Sequence, residues 1–263
     1  MRQRYWNTCE ADRMRVINAF FSPTGGTRAV AEIVANAIGE PYELDLIKKG
    51  QKPVLLGEDD VAVISAPAFA GRIPSAQRER LELLEGNGAK AVIVAVFGNR
   101  AIDDTLVELE DIARACGFEV IAGIEAVAEH SLARMYGTGR PDGADREELT
   151  AFGDKIKEKL AKGDNSAPNI PGNRPYKEAK ASAMKPVISD TCINCGVCAD
   201  ECPVDAIDRN DVGIVDDKLC FSCMRCTVVC PQGARQNSPA VLDSIRERLA
   251  AVCSERKQNK LYI

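Results

Sequence analysis

"MRVINAFFSPTGGTRAVAEIVANAIG", residues 14–39, holds the alternation that decides the fold of most of this chain. It opens on a short apolar run, and a turn containing Pro23, Gly25 and Gly26 follows. Val30, Ile33, Val34, Ala37 and Ile38 then recur at helical spacing until Gly39 stops the helix. A buried strand, a tight turn and an amphipathic helix form the first half of an α/β unit.

The same rhythm continues outward from this unit. "YELDLI" (42–47) alternates like a strand, whereas "VAVISA" (61–66) and "AVIVAVF" (91–97) are apolar without alternation. Unbroken apolar runs suit strands covered on both faces. Helical stretches follow near 75–85 and 102–116, then "FEVIAGIEAV" (118–127) supplies a fifth strand and "REELTAFGDKIKEKL" (146–160) a last helix. Residues 14–163 are therefore predicted to form an α/β domain built on a doubly wound, five-stranded parallel sheet. Residues 1–13, with Trp6 and Cys9, fit no motif and read as an N-terminal arm, so Met14 would also serve as a start. Residues 164–186 carry four prolines and little periodicity, the composition of a linker, although an ordered loop along both domains is the alternative. Beyond a second domain at 187–238, residues 239–263 are expected to form a C-terminal helix. Its stripe of Val241, Leu242, Ile245, Leu249 and Val252 is expected to dock back on its own chain.

Between the first strand and its helix lies the position where α/β folds bind anions. "FFSPTGGTRAV" (20–30) has no lysine after its glycines, so it is not a Walker A loop, and it is not G-x-G-x-x-G. It offers hydroxyls at Ser22, Thr24 and Thr27 and unhindered N–H groups at Gly25 and Gly26. Hydroxyls and amides at a helix N-terminus suit a phosphate held without a cationic side chain. The alternative is a plain glycine turn with a threonine cap.

Composition narrows the remaining choices. The 263 residues are 45% hydrophobic and 28% charged, which argues against wholesale disorder. A net charge of −5 gives no reason to expect nucleic acid as a partner. The longest apolar run, Ala91–Phe97, is too short for a membrane span, and "MRQRYWNTCEADRMRV" is too polar for a secretory signal. A cytoplasmic protein is expected. There the eleven cysteines argue against a disulfide scaffold, and the eight that lie between residues 192 and 230 point to metal.

Those eight form "CINCGVCADECP" (192–203) and "CFSCMRCTVVCP" (220–231), each C-x2-C-x2-C-x3-C-P. Three thiolates at this spacing wrap one corner of an iron–sulfur cube, and the fourth serves the other cube. The expected ligands are Cys192, Cys195, Cys198 and Cys230 for one [4Fe–4S] cluster, and Cys220, Cys223, Cys226 and Cys202 for the second. Zinc is the alternative, but its sites favour two C-x2-C pairs across a longer loop.

The segment Pro186–Gln236 resembles the bacterial two-cluster ferredoxins, down to the turns "CPVDAI" and "CPQGAR". The resemblance implies a small α+β fold of hairpins and short helices, with clusters near enough for one-electron hops. Residues 187–236 carry eight acidic and four basic side chains, which suits docking on cationic patches of a redox protein partner. S-x-T-G-x-T at Ser22–Thr27 is similar to the phosphate loop of flavodoxins. That likeness implies FMN, with its phosphate held by Ser22, Pro23, Thr24, Gly25, Gly26 and Thr27. Its ring would lie between loops 66–74 and 97–103. Ala68, Phe69, Ala70 and Gly71 would flank one side, and Phe97, Gly98, Asn99 and Arg100 the other, with Phe69 or Phe97 as the ring's aromatic neighbour. Arg72 and Arg100 serve equally well as surface ion-pair residues.

As a whole the chain resembles the flavodoxin–ferredoxin fusion proteins of anaerobic bacteria and archaea, including the phrases "AGRIP", "GNRAIDDTLVEL" and "AEHS". This implies an electron carrier or oxidoreductase component that passes electrons between FMN, the clusters and a partner. No catalytic triad or paired acid–base carboxylates stand in a motif, so any catalysis would be the cofactor's own. The alternatives are a flavin-dependent reductase, with Ala66, Ala68 and Ala70 leaving room over the ring, and a redox-sensing cluster protein. His130, the single histidine, is either structural or near the flavin; Cys9, Cys116 and Cys253 read as ordinary thiols.

Overall fold

The β-branched runs pair side by side, and the period of two along each strand sorts their side chains between two helical layers. The computed structural model describes residues 14–179 and 184–263. In chain order the elements are β1 (Val16–Phe20), α1 (Gly26–Ile38), β2 (Pro41–Asp45), β3 (Val54–Leu55), β4 (Val61–Pro67), α2 (Ser75–Leu81), β5 (Leu84–Glu85), β6 (Lys90–Phe97), α3 (Thr105–Ala115), β7 (Glu119–Val127) and α4 (Gly143–Ala161). There follow β8 (Val187–Ile188), α5 (Val197–Asp200), α6 (Arg225–Val228), β9 (Arg235–Gln236), α7 (Pro239–Cys253) and β10 (Lys260–Tyr262).

The main sheet runs β2-β1-β4-β6-β7-β10. Its first five strands are parallel, and with the small β3–β5 pair set aside their order is 2-1-3-4-5, the flavodoxin-like winding. On β4, Val61 and Val63 pack with Val30, Val34 and Ile38 of α1 and with Leu149 and Ile156 of α4. Ala62 and Ile64 face the other way, into the layer that holds Leu81 of α2 and Leu106 and Leu109 of α3. Each such aliphatic side chain, fully buried, contributes roughly 1.5–3 kcal/mol, so this two-sided core dominates the stability of the half.

Three features depart from the sequence expectation. A sixth strand, β10, joins the sheet antiparallel to β7, so the last residues are not helix alone. Asn259 fastens it: its Oδ1 accepts the Val127 N–H at 2.9 Å, and its amide donates to Asp145 and Glu148. Residues 164–179 form an ordered strap against the first domain rather than a free linker. Asp104 accepts the N–H groups of Asn173 (2.9 Å) and Lys177 (2.7 Å), Arg174 pairs with Asp111 and Glu110, and Ile170 leaves no room for a Cβ at Gly123. On α7, Ile245 and Cys253 are buried while Val252 faces solvent, so the docking face is rotated from the expected stripe.

The cysteine-rich half is small: β8 pairs with β9, α5 and α6 are single turns, and Ala199, Ala206, Ile207 and Val212 pack with Cys198 and Cys202. It docks on the α/β domain through Val204 and Phe221, which pack against the larger core. Arg80 donates to the Pro203 carbonyl, and Lys49 pairs with Asp205 across the same seam. Among the described residues no helix is long and apolar enough to cross a membrane.

Candidate functional site: two thiol-lined cavities beside a phosphate loop

Both cysteine motifs fold alike. Asn194 (φ 52°) and Gly196 (φ 77°) flank Cys195 in the left-handed region, and Ser222 (φ 59°) and Met224 (φ 63°) flank Cys223 at the equivalent positions. A one-turn helix then follows in each, α5 or α6. Such loops turn successive N–H groups inward, the concavity that anions and iron–sulfur centres favour.

The eight thiols separate four and four. One cavity is lined by Cys192, Cys195, Cys198 and Cys230, with Ile193, Val212 and Arg235 among its walls. A second is lined by Cys220, Cys223, Cys226 and Cys202, with Ile207, Phe221 and, again, Arg235. Each cavity thus takes three cysteines from one motif and the fourth from the other. No three His, Cys, Asp or Glu side chains among the described residues stand as ligands for a single ion. A cubane asks for a different arrangement, one thiolate at each iron corner.

The electrostatics fit an anionic metal centre. Burial pushes the Cys223 and Cys226 thiols up to about 12, so a bound cation is needed to displace their protons. At Cys230 burial acts the same way but is outweighed by the backbone N–H groups of Arg235, Gln232, Ala234 and Gly233, which hold that thiol below its usual range. Ala206 N–H likewise lies 3.3 Å from the Cys202 sulfur. Arg235 is buried between the cavities: Nη1 donates to Pro186 O at 3.1 Å, Nη2 to Val212 O, and Nε has no partner among the described residues. A buried guanidinium without a carboxylate fits cavities whose contents carry negative charge.

The phosphate-type loop lies at the far end of β1. Gly25 caps α1 at φ 96°, Gly26 packs so closely on Ala128 that a Cβ would approach it to 2.9 Å, and the first turn of α1 holds no acidic residue. Ser22 Oγ accepts the Arg28 N–H at 2.9 Å, Thr27 is buried, and Thr24 is half-buried beside the exposed Gly25. Pro23 is buried under the loop. A helix start flanked by hydroxyls is the kind of surface that suits an anion.

Of the two neighbouring loops, the first is a tight turn. Phe69 and Arg72 exchange N–H···O bonds at 3.0 and 3.1 Å around Ala70 (φ 52°) and Gly71 (φ 80°), and Gly71 lies flush against Asp103. Ala68 is half-buried behind it. Arg72 is a brace: it pairs with Glu108 at 2.7 Å and stacks on Tyr176, while Arg100 pairs with Asp103. In the second loop Phe97 is buried in the core, whereas Phe69 is only half-buried. Asn99 donates to the carbonyls of Cys253 (2.6 Å) and Glu255 (2.9 Å) and accepts from Lys257, so its amide is committed to the C-terminal segment. His130 backs Gly98, where a Cβ would meet its ring carbon at 2.7 Å. Its Nδ1 accepts the N–H groups of Leu132 (3.2 Å) and Ala133 (3.1 Å). Burial, then the Arg100 charge, pushes its pKa down to about 4, so it is neutral with its proton on Nε2.

Phe221, the residue after Cys220, joins the two halves of the site. Its ring centroid lies 6.4 Å from that of Phe21 and 6.0 Å from that of Phe69. The second cavity therefore abuts both the strand end that leads into the Ser22–Thr27 loop and the turn at 69–72. Ile193, the counterpart of Phe221 in the first motif, is 63% exposed. Phe21, Phe221, Arg80 and Arg235 are absent from the residues singled out by sequence reasoning. A large aromatic between Cys220 and Cys223 is the one signal in the sequence that marks Phe221.

Residues 191–234 match the 4Fe-4S dicluster domain family. Ferredoxin Fdx2 of Sorangium cellulosum is 34% identical over 68 residues, 23% of this chain and 67% of that protein. A ferredoxin of Clostridium perfringens is 60% identical over 30 residues, 11% of this chain and 54% of that one. The chain spans about half to two thirds of the lengths of these ferredoxins. Among solved structures, flavodoxin 1 from Bacillus cereus is 17% identical, with a TM-score of 0.41, covering 55% of this chain and 97% of that one.

Proposed function

This chain belongs to the ferredoxins, fused behind a flavodoxin-like α/β domain, and we propose that it is an internal electron relay between FMN in the first half and two [4Fe–4S] clusters in the second. Bound FMN would exchange one or two electrons and each cluster one at a time, so their fusion can pair or split electrons. The ligand sets are Cys192, Cys195, Cys198 and Cys230 for the outer cluster and Cys220, Cys223, Cys226 and Cys202 for the inner one. Ser22, Pro23, Thr24, Gly25, Gly26 and Thr27 hold the flavin phosphate. Ala68, Phe69, Ala70 and Gly71, with Gly98 and Arg100, border the ring, and Asn99 shapes its loop from behind.

One observation carries this reading: Phe221, between two ligands of the inner set, packs against both Phe21 and Phe69. It brings the inner cavity to the loops that would hold the flavin and leaves the outer one toward solvent. The outer face is the docking side for a one-electron redox protein, which the acidic balance of residues 187–236 would steer if its surface is basic.

Anaerobic purification with iron, sulfide and flavin quantitation on one sample tests it. About eight iron atoms and one FMN per chain are expected, as two cubanes and one flavin site require. Iron near half that amount, or no flavin after FMN titration, overturns the relay. In a double variant, Thr24→Val with Thr27→Leu, flavin uptake should be lost while iron content stays at its native value.

A further inference from the structure

We propose that Arg235 is the shared counter-ion of the two cysteine-lined cavities, and that its charge raises the reduction potentials of both clusters. This rests on the cluster reading above and goes beyond it by assigning a residue that ligates nothing.

Arg235 is 1% exposed and heads the fully buried side chains by volume. It is the one charged residue common to the walls of both cavities. Among the described residues its terminal nitrogens reach only neutral carbonyls, Pro186 O and Val212 O, and its Nε is buried without a partner. The contrast within the same molecule is Arg140, also buried, whose guanidinium is clamped by the Asp145 carboxylate. Among the described residues one buried arginine thus has a carboxylate partner and the other has carbonyls alone. A buried ion without compensation costs several kcal/mol, so the compensating charge must come from what the cavities hold. A cube bound by four thiolates carries net negative charge.

The location makes the effect electrochemical. β9 places the Arg235 side chain between the cavities, while its own backbone N–H reaches Cys230 of the outer set. Each reduction adds one electron and one negative charge to a cluster, the donor being oxidised by one electron. A fixed positive charge nearby favours the reduced form of both, and cluster potentials respond to such local charge. Arginine stays protonated at every working pH, so its contribution does not titrate away. Burial also shields it from added salt.

The test uses the full chain, prepared anaerobically, as Arg235→Met, Arg235→Gln and Arg235→Lys. Iron and sulfide are quantified first, and both cluster potentials are then read by dithionite titration followed by electron paramagnetic resonance. The neutral variants should keep their iron and show both potentials shifted to lower values, with the Lys variant close to native. Neutral variants with full iron and unmoved potentials overturn the proposal, and so does a shift confined to one cluster. Where neutral variants lose their clusters, the Lys variant decides. Native iron and near-native potentials there support a role for charge, whereas loss of iron there shows that the guanidinium's shape is what matters and overturns it. A native protein without eight iron atoms would instead sink the cluster reading, a separate failure.

Discussion

Gly25 and Gly26 are neighbours that need glycine for different reasons. Gly25 sits at φ 96° with open space where a Cβ would go, so only backbone strain opposes a side chain there. Gly26 has an ordinary backbone but no space, because Ala128 stands against it. A Gly25→Ala variant should lose roughly 1–2 kcal/mol by chemical denaturation, the cost of a side chain in left-handed backbone, and should bind FMN more weakly in titration. Unchanged flavin affinity in that variant would remove the loop from the site. His130 makes a second prediction. Its folded pKa of about 4 lies below the ordinary 6.5, so the unfolded chain takes up the proton first as pH falls. The stability this neutral imidazole contributes is complete above pH 6.5 and is lost toward pH 4, on the order of 2–3 kcal/mol. Urea midpoints at pH 7.5 and 5 should show the drop, and His130→Gln should flatten it. At this scale the division of the eight cysteines four and four was legible, because their spacing repeats. Asn99 and Arg235 were not, since a side chain's role there depends on carbonyls brought in from distant segments.

Composition misled most at the level of elements. Four prolines between residues 164 and 186 describe a backbone that cannot be helix or inner strand, and they say nothing of what that backbone binds. The strap is held by a carboxylate at the start of α3, invisible to any local pattern. Asp104 is buried, a cost more than offset by the N–H groups of Lys177 and Asn173, so its carboxyl is held below the usual range and stays ionised. Asp104→Ala would leave those donors without an acceptor, at about 1–3 kcal/mol for each group that stays dry. The strap should then become the first site of trypsin cleavage, after Lys177, since Pro175 blocks the bond after Arg174, before any loss of sheet signal in circular dichroism. Strap cleavage no faster than in the native protein would show that Tyr176, Arg174 and Ile170 suffice. β10 escaped notice for another reason. Three residues are too few to show a period, and what makes "KLY" a strand is Asn259 anchoring it beside β7.

Across the whole molecule the two motifs are copies in sequence and in backbone, yet their second residues meet opposite surroundings. Phe221 is packed between Phe21 and Phe69, and Ile193 faces solvent beside the exposed Cys195. The sequence showed that both domains exist, through strand rhythm and cysteine spacing. It could not show which cysteine set faces the loops at 20–30 and 66–74, because the deciding contact joins Phe21, just after β1, to a residue most of the chain away. If the relay runs from a docked partner through the outer cluster and the inner cluster to the flavin, the two equivalent positions should fail differently. Phe221→Leu keeps an apolar fill but withdraws ring contact, so flash-initiated transfer between flavin and clusters should slow several-fold at native iron and flavin content, and Phe221→Tyr should restore it. Ile193→Glu alters only the outer face, so that internal rate should hold while electron delivery to a basic one-electron acceptor, cytochrome c, slows and its dependence on salt changes. The reverse pairing, with Ile193 governing internal transfer and Phe221 governing delivery, would place the outer cluster next to the flavin and refute the order drawn from the Phe21–Phe221–Phe69 contact.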